Sequence, residues 1–189
     1  MVFRIRVTLA GIKGFFRVYH VHGATTLYTL HKQFRDDMEF PQDQLIMFKG
    51  LDADGSLVGR FGLFDLGGGT VDQISLEKAA SLGIASFVFF YDVTNRKSVN
   101  VTLEGEVEGA RVHPDAPVLV ESKGPNPIEF ENGYVAYEDL PDEQRHLPGE
   151  RRKDGLDDAF LDDEDLDDDE DEEEEDDDED GKEIYDENE

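Results

Sequence analysis

Phe3, Ile5, Val7 and Leu9 alternate with Arg4, Arg6 and Thr8, the period of two that marks a strand with one buried face. A turn over Gly11–Gly14 leads into a second alternation from Phe16 to His22. Phe16 and Val18 fall on one face of it and Tyr19 and Val21 on the other. The two runs predict a hairpin. Leu27, Leu30, Phe34 and Met38 then recur at spacings of three and four. That spacing predicts an amphipathic helix of about three turns, capped by the hydroxyl of Thr25 or Thr26 and ended before Pro41.

Gln44–Lys49 reads as a short apolar strand, and Ser56–Phe61 as its partner beyond a turn at Asp52, Asp54 and Gly55. Val71, Ile74 and Leu76 give a weaker strand signal. Glu77–Leu82 reads as a short helix, with Gly83 placed as its C-terminal cap. Ala85–Tyr91 (ASFVFFY) is the strongest apolar run. Short, aromatic and β-branched, it predicts a central strand covered on both faces. A turn at Thr94–Arg96 leads to Val99, Val101 and Leu103, a second hairpin partner. Beyond Gly109 the signal weakens. Pro114, Pro117, Pro125 and Pro127 break long elements, Val118–Val120 offers an edge strand, and residues 134–150 hold a last short helix or a loop. No segment repeats.

This order predicts an α+β fold: a mixed or mostly antiparallel sheet with one main helix, roll-like or β-grasp-like, followed by a disordered acidic C-terminal tail. The expected organisation is a globular domain over 1–140, a linker over 141–153 and the tail over 154–189. Charge sets the last boundary. Residues 154–189 carry 25 of the 47 acidic residues and one of the 18 basic ones, a net of -24, against -5 for residues 1–153. Arg151, Arg152 and Lys153 form a basic cluster at the junction. Beyond it the chain has too little apolar surface to offset the entropy of ordering, and like charges repel.

Composition narrows the function classes. No Cys is present, which excludes a disulfide framework, a cysteine-ligated zinc site and a thiol nucleophile. The N-terminal run MVFRIRVTLAG alternates and carries charge, unlike a signal peptide, and no apolar run is long enough to span a membrane. The expectation is a soluble, cytoplasmic protein. Phosphate affinity comes largely from Lys and Arg, so direct nucleic-acid binding is not expected. A charge-attracted partner should be a basic protein surface.

The acidic stretch reads in three ways: as a solubilising tail, as a docking arm for a basic surface, or as a weak divalent-cation binder. Phe160, Leu161 and Leu166, with Ile184 and Tyr185 at the end, are apolar islands among charge and keep docking open beside the solubilising reading. The residues expected to touch a partner are Phe160, Leu161, Asp162, Asp163, Leu166, Asp168, Glu172 and Asp176.

Residues 64–72, FDLGGGTVD, resemble the phosphate-binding turn of the seventy-kilodalton heat-shock chaperones and other actin-fold ATPases. That fold needs two large lobes and a second glycine-rich turn, so a plain turn is expected and no nucleotide-binding residue is assigned. Asp52-Ala53-Asp54-Gly55 has its glycine at position four of a calcium loop rather than six, and Leu63 at position twelve. His20 and His22 share one side of a strand, with His31 on the next helix, yet nothing makes His31 or His113 converge on them as zinc would require. Asp65, Asp72 and Asp92 lie near turns, where Asp is common for local hydrogen-bonding reasons. No catalytic residue, metal ligand or cofactor is assigned.

Several segments resemble, in order, the plasmid pRiA4b ORF-3-like family: VTLAGIK (Val7–Lys13), Arg17-Val18 in the second strand, and TTLYTLHKQF (Thr25–Phe34). An aromatic strand ending in Tyr91-Asp92, a VTLEG strand (Val101–Gly105) and a Gly-Pro-x-Pro segment (Gly124–Pro127) follow. The family usually continues after Tyr-Asp with a Gly-Asp turn and Trp-x-His. This chain reads Val93-Thr94-Asn95-Arg96-Lys97 there and has no Trp. The resemblance implies an α+β domain and no established reaction. The expected function is a non-enzymatic interaction module. The alternative is a small hydrolase or metal-dependent enzyme with a site near the glycine turn or the histidines.

Overall fold

The computed structural model describes residues 1–145. The partner contacts expected at Phe160, Leu161, Leu166 and their acidic neighbours, and the disorder expected over 154–189, lie outside the described residues.

Seven strands form one sheet: β1 (Val2–Leu9), β2 (Ile12–His22), β3 (Met47–Leu51), β4 (Leu57–Gly62), β5 (Ser86–Asp92), β6 (Lys97–Glu106) and β7 (Val118–Lys123). Their spatial order is β4-β3-β5-β6-β1-β2-β7, and every named pair is antiparallel. The main helix α1 (Leu27–Met38) carries the chain from β2 back to β3 on the far side of the sheet. The fold is α+β.

Alternation decides which face is buried. Directly paired residues share a face, so the pairs Ile5↔Tyr19, Val7↔Val101, Phe87↔Val101, Phe89↔Val99 and Phe48↔Phe89 line one continuous apolar layer. Leu27, Leu30, Phe34 and Met38 of α1 are buried in the same core as that layer. Aromatic rings fill much of it. Phe48 stacks on Phe89 with centroids 4.4 Å apart, Phe40 on Tyr91 at 3.9 Å, and Phe34 tilts against Tyr19 at 5.2 Å. Such pairs add roughly 0.5–1.5 kcal/mol each beyond the area they bury. Thr26 is the helix cap, its hydroxyl accepting from the Thr29 N–H at 3.2 Å.

Several expectations need correction. The first turn is shorter than Gly11–Gly14, because β2 already begins at Ile12. The strand expected over Gln44–Lys49 starts at Met47. Val71 and Ile74 are not a strand. Their carbonyls accept the N–H groups of Tyr28 and Leu27, satisfying the open N-terminus of α1, while Leu76 opens helix α2 (Leu76–Ser81). Strand β5 is buried on one face only: Phe87, Phe89 and Tyr91 point inward, and Ser86, Val88 and Phe90 are half-buried on the other side. Its unbroken apolar run reflects cover by neighbouring side chains, with the Lys49 ammonium 4.8 Å above the Phe90 ring.

Pro114, Pro117, Pro125 and Pro127 leave only short elements around them, as expected, and Pro127 itself heads one. It starts helix α3 (Pro127–Glu131) behind Asn126, a first-turn position where no N–H is needed. Residues 137–139 and 142–144 form short 3-10 turns, the second inside the expected linker.

Arg17 explains how the C-terminal pieces attach. Its buried guanidinium donates to the carbonyls of Phe16, Lys123 and Gly124 and to Asn126 Oδ1, at 2.7–3.1 Å. Burial lowers its pKa, and the four acceptors offset the loss of water. Asn126 in turn donates to Glu39 at the end of α1, at 2.9 Å.

Candidate functional site

An apolar groove lies at one end of the β3–β4 pair. Leu45 and Met47 come from the entry to β3, Leu63, Phe64 and Leu66 from the loop after β4, and Val93 from the turn after β5. Two backbone contacts hold these pieces together. Met47 pairs with Gly62 across β3–β4, and the Val93 N–H donates to the Leu45 carbonyl at 3.1 Å. The cavity measures about 240 Å³. Phe64 is 74% exposed, Leu45 58% and Leu66 48%. Scattered apolar side chains on a surface are ordinary, whereas here several lie side by side around one groove.

The glycine turn builds one wall. Asp65 Oδ1 accepts the N–H groups of Gly67 at 2.8 Å and Gly69 at 3.0 Å. Those two donors hold its carboxyl below the usual aspartate range. The amides that would cradle a phosphate in the resembling ATPase turn are thus turned onto the loop's own carboxylate. Gly67 and Gly69 both sit at φ +99°, where a side chain is strained. Gly68 is fixed by contact: a Cβ there would stand 2.7 Å from the Arg60 carbonyl oxygen and 2.8 Å from the Phe61 ring. The Val71 N–H, donating to the Gly62 carbonyl at 3.0 Å, closes the loop. Three constraints on one short loop leave Leu63, Phe64 and Leu66 facing outward on a fixed frame.

The other sequence candidates separate, except that His22 and His113 share a cleft. Asp52 Oδ1 accepts from the Asp54 and Ser56 N–H groups, a local turn contact. Asp92 is a turn cap as well: Asn95 binds it through its side chain and its N–H and holds its carboxyl below the ordinary range. His31 is buried between Tyr28 and Phe89 in the helix–sheet core, and burial lowers its pKa. His22 and His113 line one cleft at the far end of β1 and β2. Among the described residues, no group of three or more His, Asp and Glu is placed to hold a metal ion. No helix among them is long and apolar enough to cross a membrane.

Sequence reasoning missed the groove because its residues come from three separate loops. The available signal was the apolar triple Leu63, Phe64 and Leu66 inside a glycine turn, where no strand or helix period explains it.

Fold and groove define an α+β domain with a seven-stranded antiparallel sheet and a surface apolar site. No protein-family model matches the chain, and no curated protein matches it. Among solved structures it is similar to a protein of unknown function, MM3350, from Methanosarcina mazei Go1. The two share 21% identity over 64% of this chain and 68% of that one, with a TM-score of 0.52. At that identity the likeness is one of fold.

Proposed function

We propose that this chain is a non-enzymatic interaction module of the pRiA4b ORF-3-like kind, acting in the cytoplasm, and that the groove at Phe64 takes an apolar side chain from a basic protein segment. One observation carries the reading: Phe64, three-quarters exposed, stands at the mouth of an apolar groove on a loop fixed by its own hydrogen bonds. Aromatic residues on a fixed frame are the usual energetic anchors of protein interfaces.

Charge selects the partner. Leu45 and Phe64 have Asp43 and Asp65 as near neighbours in the chain, residues 1–153 are net -5, and residues 154–189 add -24. A basic segment would be drawn in by the acidic residues and held by its apolar anchor. Complementary charge acts mainly on the association rate, and a buried apolar contact acts on dissociation.

Peptide-display selection on the full chain tests this. The expected consensus is an aromatic or aliphatic anchor flanked by Lys and Arg. The selected peptides should bind Phe64→Ser about tenfold or more weakly, as loss of an interface anchor does, with folding unaffected. A consensus without basic residues, or binding indifferent to Phe64→Ser, would refute the proposal.

A further inference from the structure

The cleft that brings His22 and His113 together lies away from the groove. It measures about 450 Å³ and opens where the start of β1 and the end of β2 meet the loop of residues 110–114. Val2, Val112 and Pro114 supply apolar wall. Arg111, His22 and His113 supply the polar groups, and no lining residue carries a carboxylate.

The loop is anchored rather than draped. The buried Thr25 hydroxyl donates to the Pro114 carbonyl at 2.7 Å, the Val107 N–H to the Val2 carbonyl at 2.8 Å, and the Ala116 N–H to the His113 carbonyl at 3.1 Å.

The two imidazoles are set the same way. His22 Nδ1 accepts the Ala24 N–H at 3.1 Å, and His113 Nδ1 accepts the Asp115 N–H at 3.2 Å. The Asp115 carboxylate stands 3.8 Å from His113 Nδ1, outside hydrogen-bond distance. With Nδ1 accepting, a neutral ring carries its proton on Nε2. Each histidine is therefore an N–H donor with its acceptor side already used. The ion pairs among the described residues leave Arg111 without a partner. The polar side chains of the cleft are donors only, set in an apolar wall. Mostly apolar clefts of a few hundred Å³ with a few convergent polar groups are the usual form of small-molecule sites.

We infer that this cleft binds a small organic anion, a carboxylate or phosphate monoester on an apolar body, with Arg111, His22 and His113 on the anionic head and Val2, Val112 and Pro114 on the body. Arg suits both headgroups because its planar donors match paired oxygens. The site is independent of the groove.

The test is amide chemical-shift titration of the full chain with phenyl phosphate, benzoate, inorganic phosphate and benzyl alcohol. Saturable shifts at Ala24 and Arg111–His113 with either organic anion support the site, and the tighter anion names the headgroup. Arg111→Gln should weaken binding about tenfold or more, the loss expected for a charged hydrogen bond.

His22→Asn and His113→Asn place an amide oxygen where Nδ1 accepts but remove the Nε2 donor. They should weaken binding several-fold at unchanged melting temperature. His22→Gln and His113→Gln restore a donor near Nε2 and should recover part of the affinity. Binding of benzyl alcohol or inorganic phosphate as tight as phenyl phosphate would overturn the inference. So would no saturable shift with either organic anion, or full affinity in Arg111→Gln.

Discussion

Phe64 and Tyr19 are both aromatic, and their surroundings give them opposite roles. Phe64 projects from a loop whose glycines and Asp65 carboxylate leave it no core to enter. Tyr19 is fully buried against Phe34. Burial, and then the Asp37 carboxylate, push its phenol well above its ordinary pKa. Among the described residues its hydroxyl has no partner in good hydrogen-bond geometry, although the Asp37 carboxylate stands near it; Asp37 Oδ2 accepts from Gln33 at 2.9 Å. An unpaired buried hydroxyl costs about 1–3 kcal/mol. Tyr19→Phe should therefore raise unfolding stability, by about 1 kcal/mol in denaturant titration. A loss of stability would show that the hydroxyl is satisfied in solution. Gly68→Val should lower stability by roughly 1–3 kcal/mol, since even its Cβ would overlap the Arg60 carbonyl and the Phe61 ring. In calorimetry neither wild type nor Gly68→Val should show saturable Mg-ATP binding, because the loop amides already hold Asp65. Tight binding lost in Gly68→Val would contradict this.

At the scale of elements, much hangs on one buried cation. Arg17 joins β2 to the end of β7 and to the residue before α3, and Asn126 passes that link to the end of α1. A lysine keeps the charge but not the planar fork. Arg17→Lys should cost about 2–3 kcal/mol in unfolding stability, with hydrogen exchange rising first in β7 and α3. A uniform rise would mean that Arg17 does not join these elements.

Asp139 gives the corresponding pH test. Its carboxylate accepts the Lys13 and Gly14 N–H groups at 2.7 and 2.9 Å, fixing the turn of residues 137–139 to β2. These donors, Lys13 foremost, hold its pKa below the ordinary 3.8. The folded value lies below the unfolded one, so the contribution is complete above pH of about 4 and is lost as pH falls through the folded value. Protection of the Lys13 and Gly14 amides should fall over that window and lose its pH dependence in Asp139→Asn. Protection that is flat with pH in the wild type would contradict the contact.

These elements show what the sequence can and cannot disclose. The β1–β2 hairpin and α1 were legible because local rules suffice: alternation, a Thr cap, and spacing of three and four. Val71 and Ile74 misled because their apolar side chains belong to the core while their backbone serves a distant helix. The prolines from Pro114 to Pro127 showed where long elements stop, but not that Pro127 opens a short helix, which depends on the flanking geometry. Val88 and Phe90 looked doubly covered because nothing in a single strand shows which neighbours lean over it. Arg17 was visible as a motif residue, but its role depends on carbonyls more than 100 positions away.

Over the whole molecule, charge and apolar surface are separately placed in the sequence. The acidic residues concentrate after Asp154, while Leu45, Leu63, Phe64 and Leu66 form the exposed apolar cluster of the groove. Exposed charges are screened over about 8 Å at physiological ionic strength. The association rate of a basic partner should therefore fall steeply with added salt, while its dissociation rate changes little. The reverse pattern would assign the charges to holding the complex. The most direct measurement is an amide chemical-shift map of the full chain titrated with a peptide carrying one Leu or Phe between lysines and arginines. Saturable shifts are expected at Leu45–Met47, Leu63–Leu66 and Val93, lost in Phe64→Ser while the remaining spectrum is preserved. Shifts that avoid these residues, or that persist unchanged in Phe64→Ser, would contradict it.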